Sequence, residues 1–130
     1  WDLKGSHNHV MMGSIDAWFY RTLAGIQPDE TRPGFERVVI KPYIPVSLTS
    51  VKASVQTVRG RVAVDWKKQS GSLQLNVTIP ANSTATIYVP ATSAKQVQST
   101  PALKSARFES GAVVYEIGSG DYEFRAATDR

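Results

Sequence analysis

Three runs of apolar residues at every second position govern what this chain can fold into. Val51, Ala53 and Val55 form the first, Val62, Val64 and Trp66 the second, and Leu73, Leu75, Val77 and Ile79 the third. Side chains alternate between the two faces of a strand, so each run predicts a half-buried antiparallel strand. Residues 69–72 (Gln-Ser-Gly-Ser) supply the turn between the second and third runs, and residues 80–83 (Pro-Ala-Asn-Ser) a tight loop after the third. Further strands are expected over 35–42, 84–89, 104–108, 112–117 and 121–126. Glu109-Ser110-Gly111 makes a hairpin turn and Gly118-Ser119-Gly120 leads into the last strand. Residues 91–101, rich in Ser and Thr, cross between sheets. Seven to eight short strands at about ten-residue spacing predict a mainly β fold, an antiparallel β-sandwich of two sheets.

One segment breaks this pattern. From Gly13 onward the apolar residues Ile15, Trp18, Phe19, Leu23 and Ile26 are spaced along one stripe of an α-helix. Ser6 or Asn8 stands where a cap would begin it, and Gly25 where a left-handed residue would end it. Met12 and Tyr20 widen the stripe beyond what one packing surface needs. A helix this apolar, ahead of a self-sufficient β-domain, reads as the edge of a larger protein. Pro28 and Pro33-Gly34 make residues 27–34 a linker between the two parts.

Composition narrows the function classes. The chain has 130 residues, enough to bury one core without a staple, and it has no cysteine, so no thiolate metal site or thiol nucleophile. Its charge of +4 comes from scattered Lys and Arg, with Lys67-Lys68 the adjacent lysine pair, and no basic block of the kind that binds nucleic acid or a membrane surface. No apolar run reaches the roughly 20 residues that span a bilayer.

The candidate site residues are few. His7 and His9 are the two histidines, and no nearby carboxylates complete the three or four ligands of a zinc site. A hydrogen bond from histidine to a substrate, or a structural role, fits them better. Trp18 and Trp66 continue apolar faces and read as core, against the alternative of sugar-stacking platforms. The carboxylates Asp16, Glu30, Glu36, Asp65, Glu109, Glu116, Asp121 and Glu123 are dispersed. No two are set by spacing to flank a glycosidic bond, whose hydrolysis needs carboxyls about 5 to 10 Å apart.

Ser6-His7-Asn8-His9, then Met12-Gly13, Trp18-Phe19-Tyr20-Arg21 and Ala24-Gly25-Ile26, resemble the end of the catalytic domain of bacterial α-L-rhamnosidases, glycoside hydrolase family 78. Pro33-Gly34-Phe35, Val39-Ile40-Lys41-Pro42, Gly60-Arg61-Val62 and the stretch 77–85 resemble the small β-sandwich that follows it. The resemblance implies residues 1–26 as the last helix of an (α/α)6 barrel, 27–34 as linker and 35–130 as accessory sandwich. It implies a parent that hydrolyses terminal α-L-rhamnosyl groups with inversion, using two carboxyls and no cofactor. Both carboxyls would lie upstream of Trp1, so this piece alone is expected to be inactive. His9 is the one residue carried over, as a histidine near the rhamnose pocket. The partners implied are the catalytic barrel and, through it, a rhamnose-containing glycan, with the N-terminal helix as a surface for dimerisation. A periplasmic or extracellular parent is expected. The rival expectation is a carbohydrate-binding module that tethers the enzyme to polysaccharide, for which Tyr43, Tyr88 and Tyr115 are the stacking candidates. A dimer formed through an exposed sheet edge is the third.

Overall fold

The computed structural model describes residues 16–104 and 106–128. Among the described residues, ten strands form two five-stranded sheets packed face to face, so the fold is the expected β-sandwich. One sheet has the order β1-β2-β6-β9-β8: β1 Ile26–Pro28, β2 Arg37–Ile40, β6 Thr84–Pro90, β9 Ala112–Ile117 and β8 Arg107–Glu109. The other has the order β3-β4-β5-β10-β7: β3 Ser50–Thr57, β4 Gly60–Gln69, β5 Ser72–Ile79, β10 Gly120–Ala127 and β7 Val97–Thr100.

The three alternating runs form β3, β4 and β5 and pair in register. Val51 faces Trp66, which faces Leu75, and Val64 faces Val77. Their apolar faces meet Val38, Ile40, Ile87, Val89 and Val113 from the opposite sheet, with Trp66 and Phe124 the largest side chains wholly buried between them. Tyr115 packs its ring 5.0 Å from that of Phe124 across the core. Each such side chain contributes roughly 1.5–3 kcal/mol of burial energy.

The structure adds two strands to the expected eight. Gln27 and Pro28, expected in a linker, instead pair with Val39 and Val38 as part of β1. Proline lacks a donor but is tolerated here because β1 is an edge strand. The second addition is β7, four residues at the edge of the other sheet, preceded by a short 3-10 turn at Ala94–Gln96. Val97 is its single apolar residue, and Gln98, Ser99 and Thr100 carry no apolar alternation. One strand pair departs from antiparallel order: β2 runs parallel to β6, with Val39 beside Thr86. Between them the chain crosses into the other sheet for β3, β4 and β5, which is the long connection a parallel pair requires.

The hairpin turn falls where expected. Ser110 and Gly111 both have positive φ, 49° and 79°, the conformation that matches the twist of a two-residue β-turn.

Candidate functional site

The helical segment is attached to the sandwich by its C-terminal end. Residues 16–18 are α-helical and Phe19–Leu23 continue as a wider π-helical turn, closed by Ala24 N–H donating to the Phe19 carbonyl at 3.2 Å. A helix end leaves its last carbonyls unpaired, and here groups beyond the helix take them up one by one. The Gln27 side-chain amide donates to Arg21 O at 3.1 Å, and the Tyr43 backbone N–H to Thr22 O at 2.8 Å. Trp66 Nε1 donates to Leu23 O at 2.8 Å. Lys41 N–H then donates to Gly25 O at 2.9 Å.

Gly25 is the expected left-handed terminator, with φ 73°. Contact with the Lys41-Pro42 backbone makes glycine obligatory: a Cβ there would stand 2.2 Å from the Lys41 carbonyl carbon. Leu23, Ala24 and Ile26 are consequently buried in the sandwich core.

The other side of this segment faces outward. Trp18 is 53% exposed, and Phe19 and Tyr20 are each 39% exposed. Trp66 meets its expectation as core, and Trp18 does not. The sandwich packs only on the last turn, where Leu23 and Ala24 are buried, and leaves the preceding residues open. Ile26 leaves the helical stripe altogether, because it begins β1.

His7 and His9, with Trp1, lie outside the described residues. Among the described residues no group of three His, Asp, Glu or Cys side chains stands close enough to hold a metal ion.

The three candidate stacking tyrosines do not form a platform. Tyr115 is 4% exposed, in the core beside Phe124. Tyr88 is half-buried on the outer face of its sheet, with the Lys41 ammonium 5.0 Å above its ring centre. Tyr43 alone is open, at 58%. The broad outer face of the other sheet carries polar rows such as Lys52, Asp65, Asn76, Glu123 and Thr100, set side by side by the register. No aromatic side chain projects from it among the described residues.

The structure does gather carboxylates that are dispersed in sequence, but around arginines. Arg37 donates from Nε and Nη2 to Thr86 Oγ1 at 3.2 and 3.0 Å, pairs with Glu116, and lies 3.7 Å from Asp29. The Thr86 hydroxyl in turn donates a hydrogen bond to Glu116 at 2.9 Å. Arg107 bridges Glu109 and Glu116 at 3.2 and 3.4 Å. Hydrogen bonds from the Thr31 hydroxyl and backbone N–H, followed by the Arg37 and Arg32 charges, hold the Asp29 carboxyl below the usual carboxylate range. With each of these carboxylates paired to Arg37 or Arg107, the cluster forms an ion-pair network on the outer face of the sheet. The hairpin register could have revealed part of it: Arg107 stands opposite Val114, which puts Glu116 on the adjacent diagonal.

The bacterial alpha-L-rhamnosidase C-terminal domain model matches residues 25–104, more than half of the chain. The chain belongs to this family. It is similar to an alpha-L-rhamnosidase of Streptomyces avermitilis, with 37% identity over 119 residues. That match covers 92% of this chain and 11% of the relative. An alpha-L-rhamnosidase of Alteromonas sp. is 30% identical over 95% of this chain and 13% of its own length.

Solved structures agree on the fold. The Streptomyces avermitilis alpha-L-rhamnosidase complexed with L-rhamnose superposes with TM-score 0.83 at 36% identity, over 92% of this chain and 11% of that one. The alpha-L-rhamnosidase from Dictyoglumus thermophilum gives 0.81 at 30% identity, over 94% and 14%. The rhamnosidase C-terminal domain is therefore the unit seen here, and it spans about an eighth of the length of the proteins it matches. The family match starts at the obligatory Gly25 and takes in Lys41, Tyr43 and Trp66, three of the residues that grip the helix end.

Proposed function

We propose that this chain is the C-terminal region of an α-L-rhamnosidase and that it serves as a scaffold without catalytic groups of its own. Residues 16–24 belong to the end of the last helix of an (α/α)6 catalytic barrel, and the accessory sandwich starts at Ile26, where β1 begins. The observation that carries this reading is the gripped helix end: a helical turn whose carbonyls are bonded from the β-domain while Trp18, Phe19 and Tyr20 face outward. Such a segment joins the sandwich to something else and holds it there.

The parent enzyme hydrolyses terminal α-L-rhamnosyl groups with inversion. One carboxyl protonates the leaving oxygen while another activates water on the opposite face of the sugar, and the two stand roughly 6.5–9.5 Å apart. Neither is in this chain. The Arg-bound carboxylates on the sandwich are support for sheet packing, and His9 contributes a hydrogen bond to the sugar in the barrel pocket. A polysaccharide-tethering role is less well supported, because Tyr115 is buried and Tyr88 half-buried under Lys41.

The test is proton NMR of the complete enzyme acting on 4-nitrophenyl α-L-rhamnopyranoside. The expected first product is β-L-rhamnose, and His9→Ala raises KM. Release of the α anomer first would remove the inverting mechanism. An unchanged KM in His9→Ala would remove the contact assigned to His9.

A further inference from the structure

The outer face of the β3-β4-β5-β10-β7 sheet carries a small recessed cavity of about 150 Å³, lined by Lys67, Gln69, Ser72, Leu73, Gln74 and Arg125. Pockets for drug-sized ligands run to roughly 300–1,000 Å³, so this one suits a single functional group or a small ion.

The register builds the cavity from two adjacent cross-strand rows. Lys67 on β4 lies opposite Gln74 on β5, and Gln74 lies opposite Arg125 on β10. Gln69 and Ser72 face each other in the next row, beside the β4–β5 turn. Side chains at alternate positions share a face, so these five polar groups project away from the buried Trp66, Leu75 and Phe124.

What the five side chains present is mostly hydrogen-bond donors. Glu123 accepts from Arg125 Nε and from Gln74 Nε2, the latter at 3.3 Å, which orients the guanidinium and leaves its two Nη groups open. The side chains of Lys67, Gln69 and Ser72 have no hydrogen-bond or ion-pair partner among the described residues. Lys67 and Arg125 against the one carboxylate of Glu123 leave a positive charge uncompensated. The next row does not cancel it, because Lys52 and Asp65 stand opposite each other there. Other cations of the sandwich are engaged: Arg37 and Arg107 with carboxylates, Arg59 and Lys68 with backbone carbonyls.

An ammonium and a guanidinium donate and cannot accept, so the complementary ligand is negative and rich in acceptors. A carboxylate or sulfate meets both demands, and its oxygens match the two-pronged edge of an arginine. We propose that this cavity binds one such oxyanion group, with Lys67 and the Nη edge of Arg125 supplying charge and Gln69, Ser72 and Gln74 supplying hydrogen bonds. The group arrives as a free ion or on an acidic sugar, and a neutral sugar ring is not recognised. The site stands independently of the rhamnosidase reading and of Tyr43.

Heteronuclear NMR of the 130-residue chain at constant ionic strength tests it, with sodium sulfate, sodium D-glucuronate and neutral L-rhamnose as probes. The anions are expected to move the signals of residues 67, 69, 72, 74 and 125 saturably, and rhamnose to leave them in place. Lys67→Gln should weaken anion binding at least about tenfold, the effect of losing one charge-assisted hydrogen bond. Lys52→Gln removes the same charge from the same face outside the cavity and should weaken binding less than about twofold. Glucuronate binding more tightly than sulfate assigns the group to an acidic sugar, the reverse order assigns it to a free ion, and either supports the site. Shifts that never saturate, or that weaken equally in the two variants, would overturn it by showing diffuse attraction to the whole face. Unweakened binding in Lys67→Gln, or a saturable response to rhamnose, would overturn it as well.

Discussion

Trp66 Nε1 donates to the carbonyl of Leu23 at 2.8 Å, tying the centre of the sandwich core to a helix end 43 residues earlier in the chain. The indole is wholly buried, and the carbonyl it satisfies is one that the helix itself cannot pair. Trp66→Phe keeps most of the apolar bulk, leaves that carbonyl unpaired and opens a small cavity. The expected loss is about 2–4 kcal/mol in denaturant unfolding of the chain. A loss below about 0.5 kcal/mol would mean that the bond holds nothing.

Gly25 and Gly34 make a matched pair. Both have φ of 73°, but a Cβ at Gly25 would press into the Lys41-Pro42 backbone, whereas at Gly34 it would meet nothing within 4 Å. Gly34→Ala should cost about 1 kcal/mol, the penalty for a left-handed alanine. Gly25→Ala should cost more than about 3 kcal/mol, because β1 and the helix end must separate from β2. Thermal unfolding of the two variants side by side checks the ordering, and equal losses would contradict it.

The acid limb of stability should depend on Asp29. Its carboxyl is held low in the folded chain by Thr31 and then Arg37, so the fold binds that proton more weakly than the unfolded chain does. The contribution is therefore present above the unfolded value, near 3.9, and is lost as pH falls through the lower folded value. Asp29→Asn should flatten the stability profile below about pH 4 and lower stability at pH 7. An unaltered slope in acid would rule Asp29 out as a contributor.

At alkaline pH the controlling group should be Tyr115. Burial beside Phe124 pushes its phenol above the ordinary value of 10.0, so the fold favours the neutral form. That contribution is complete below the unfolded value and is lost as pH rises through the folded one. Tyr115→Phe should remove this part of the alkaline fall, measured by unfolding between about pH 9 and 11.

The carbohydrate-module alternative makes its own demand on Tyr43, the one open candidate of the three. If the sandwich tethered polysaccharide through that ring, Tyr43→Ala would weaken binding by roughly 1–2 kcal/mol, the usual worth of an aromatic anchor. Affinity electrophoresis of the chain in rhamnose-containing polysaccharide should instead show no retardation, with or without Tyr43.

Much of the β-domain was legible because burial on one face leaves a period-two trace, as in Leu73, Leu75, Val77 and Ile79. The strands that left no trace are those with little to bury. β7 has Val97 as its single apolar residue, too little for a period-two trace, and in β1 the residues Gln27 and Pro28 look like a helix stop followed by a linker. Trp18 misled for a different reason: amphipathic spacing says that a residue meets an apolar surface, without saying whether that surface belongs to the same domain. The Arg37–Glu116–Arg107 network was hidden because its members come from β2, β9 and β8, and only the strand order brings them together. Gly25 was readable as a terminator from its place after Leu23, but its near-contact with Lys41-Pro42 depends on tertiary packing.

On the proposed function, this chain scaffolds an α-L-rhamnosidase and does no chemistry alone. The most direct test is turnover of 4-nitrophenyl α-L-rhamnopyranoside by the 130-residue chain beside the complete polypeptide at equal molar concentration. The expected result is hydrolysis by the complete polypeptide and none above buffer by the 130-residue chain. Turnover by the 130-residue chain at a comparable rate, or none by the complete polypeptide, would contradict the account.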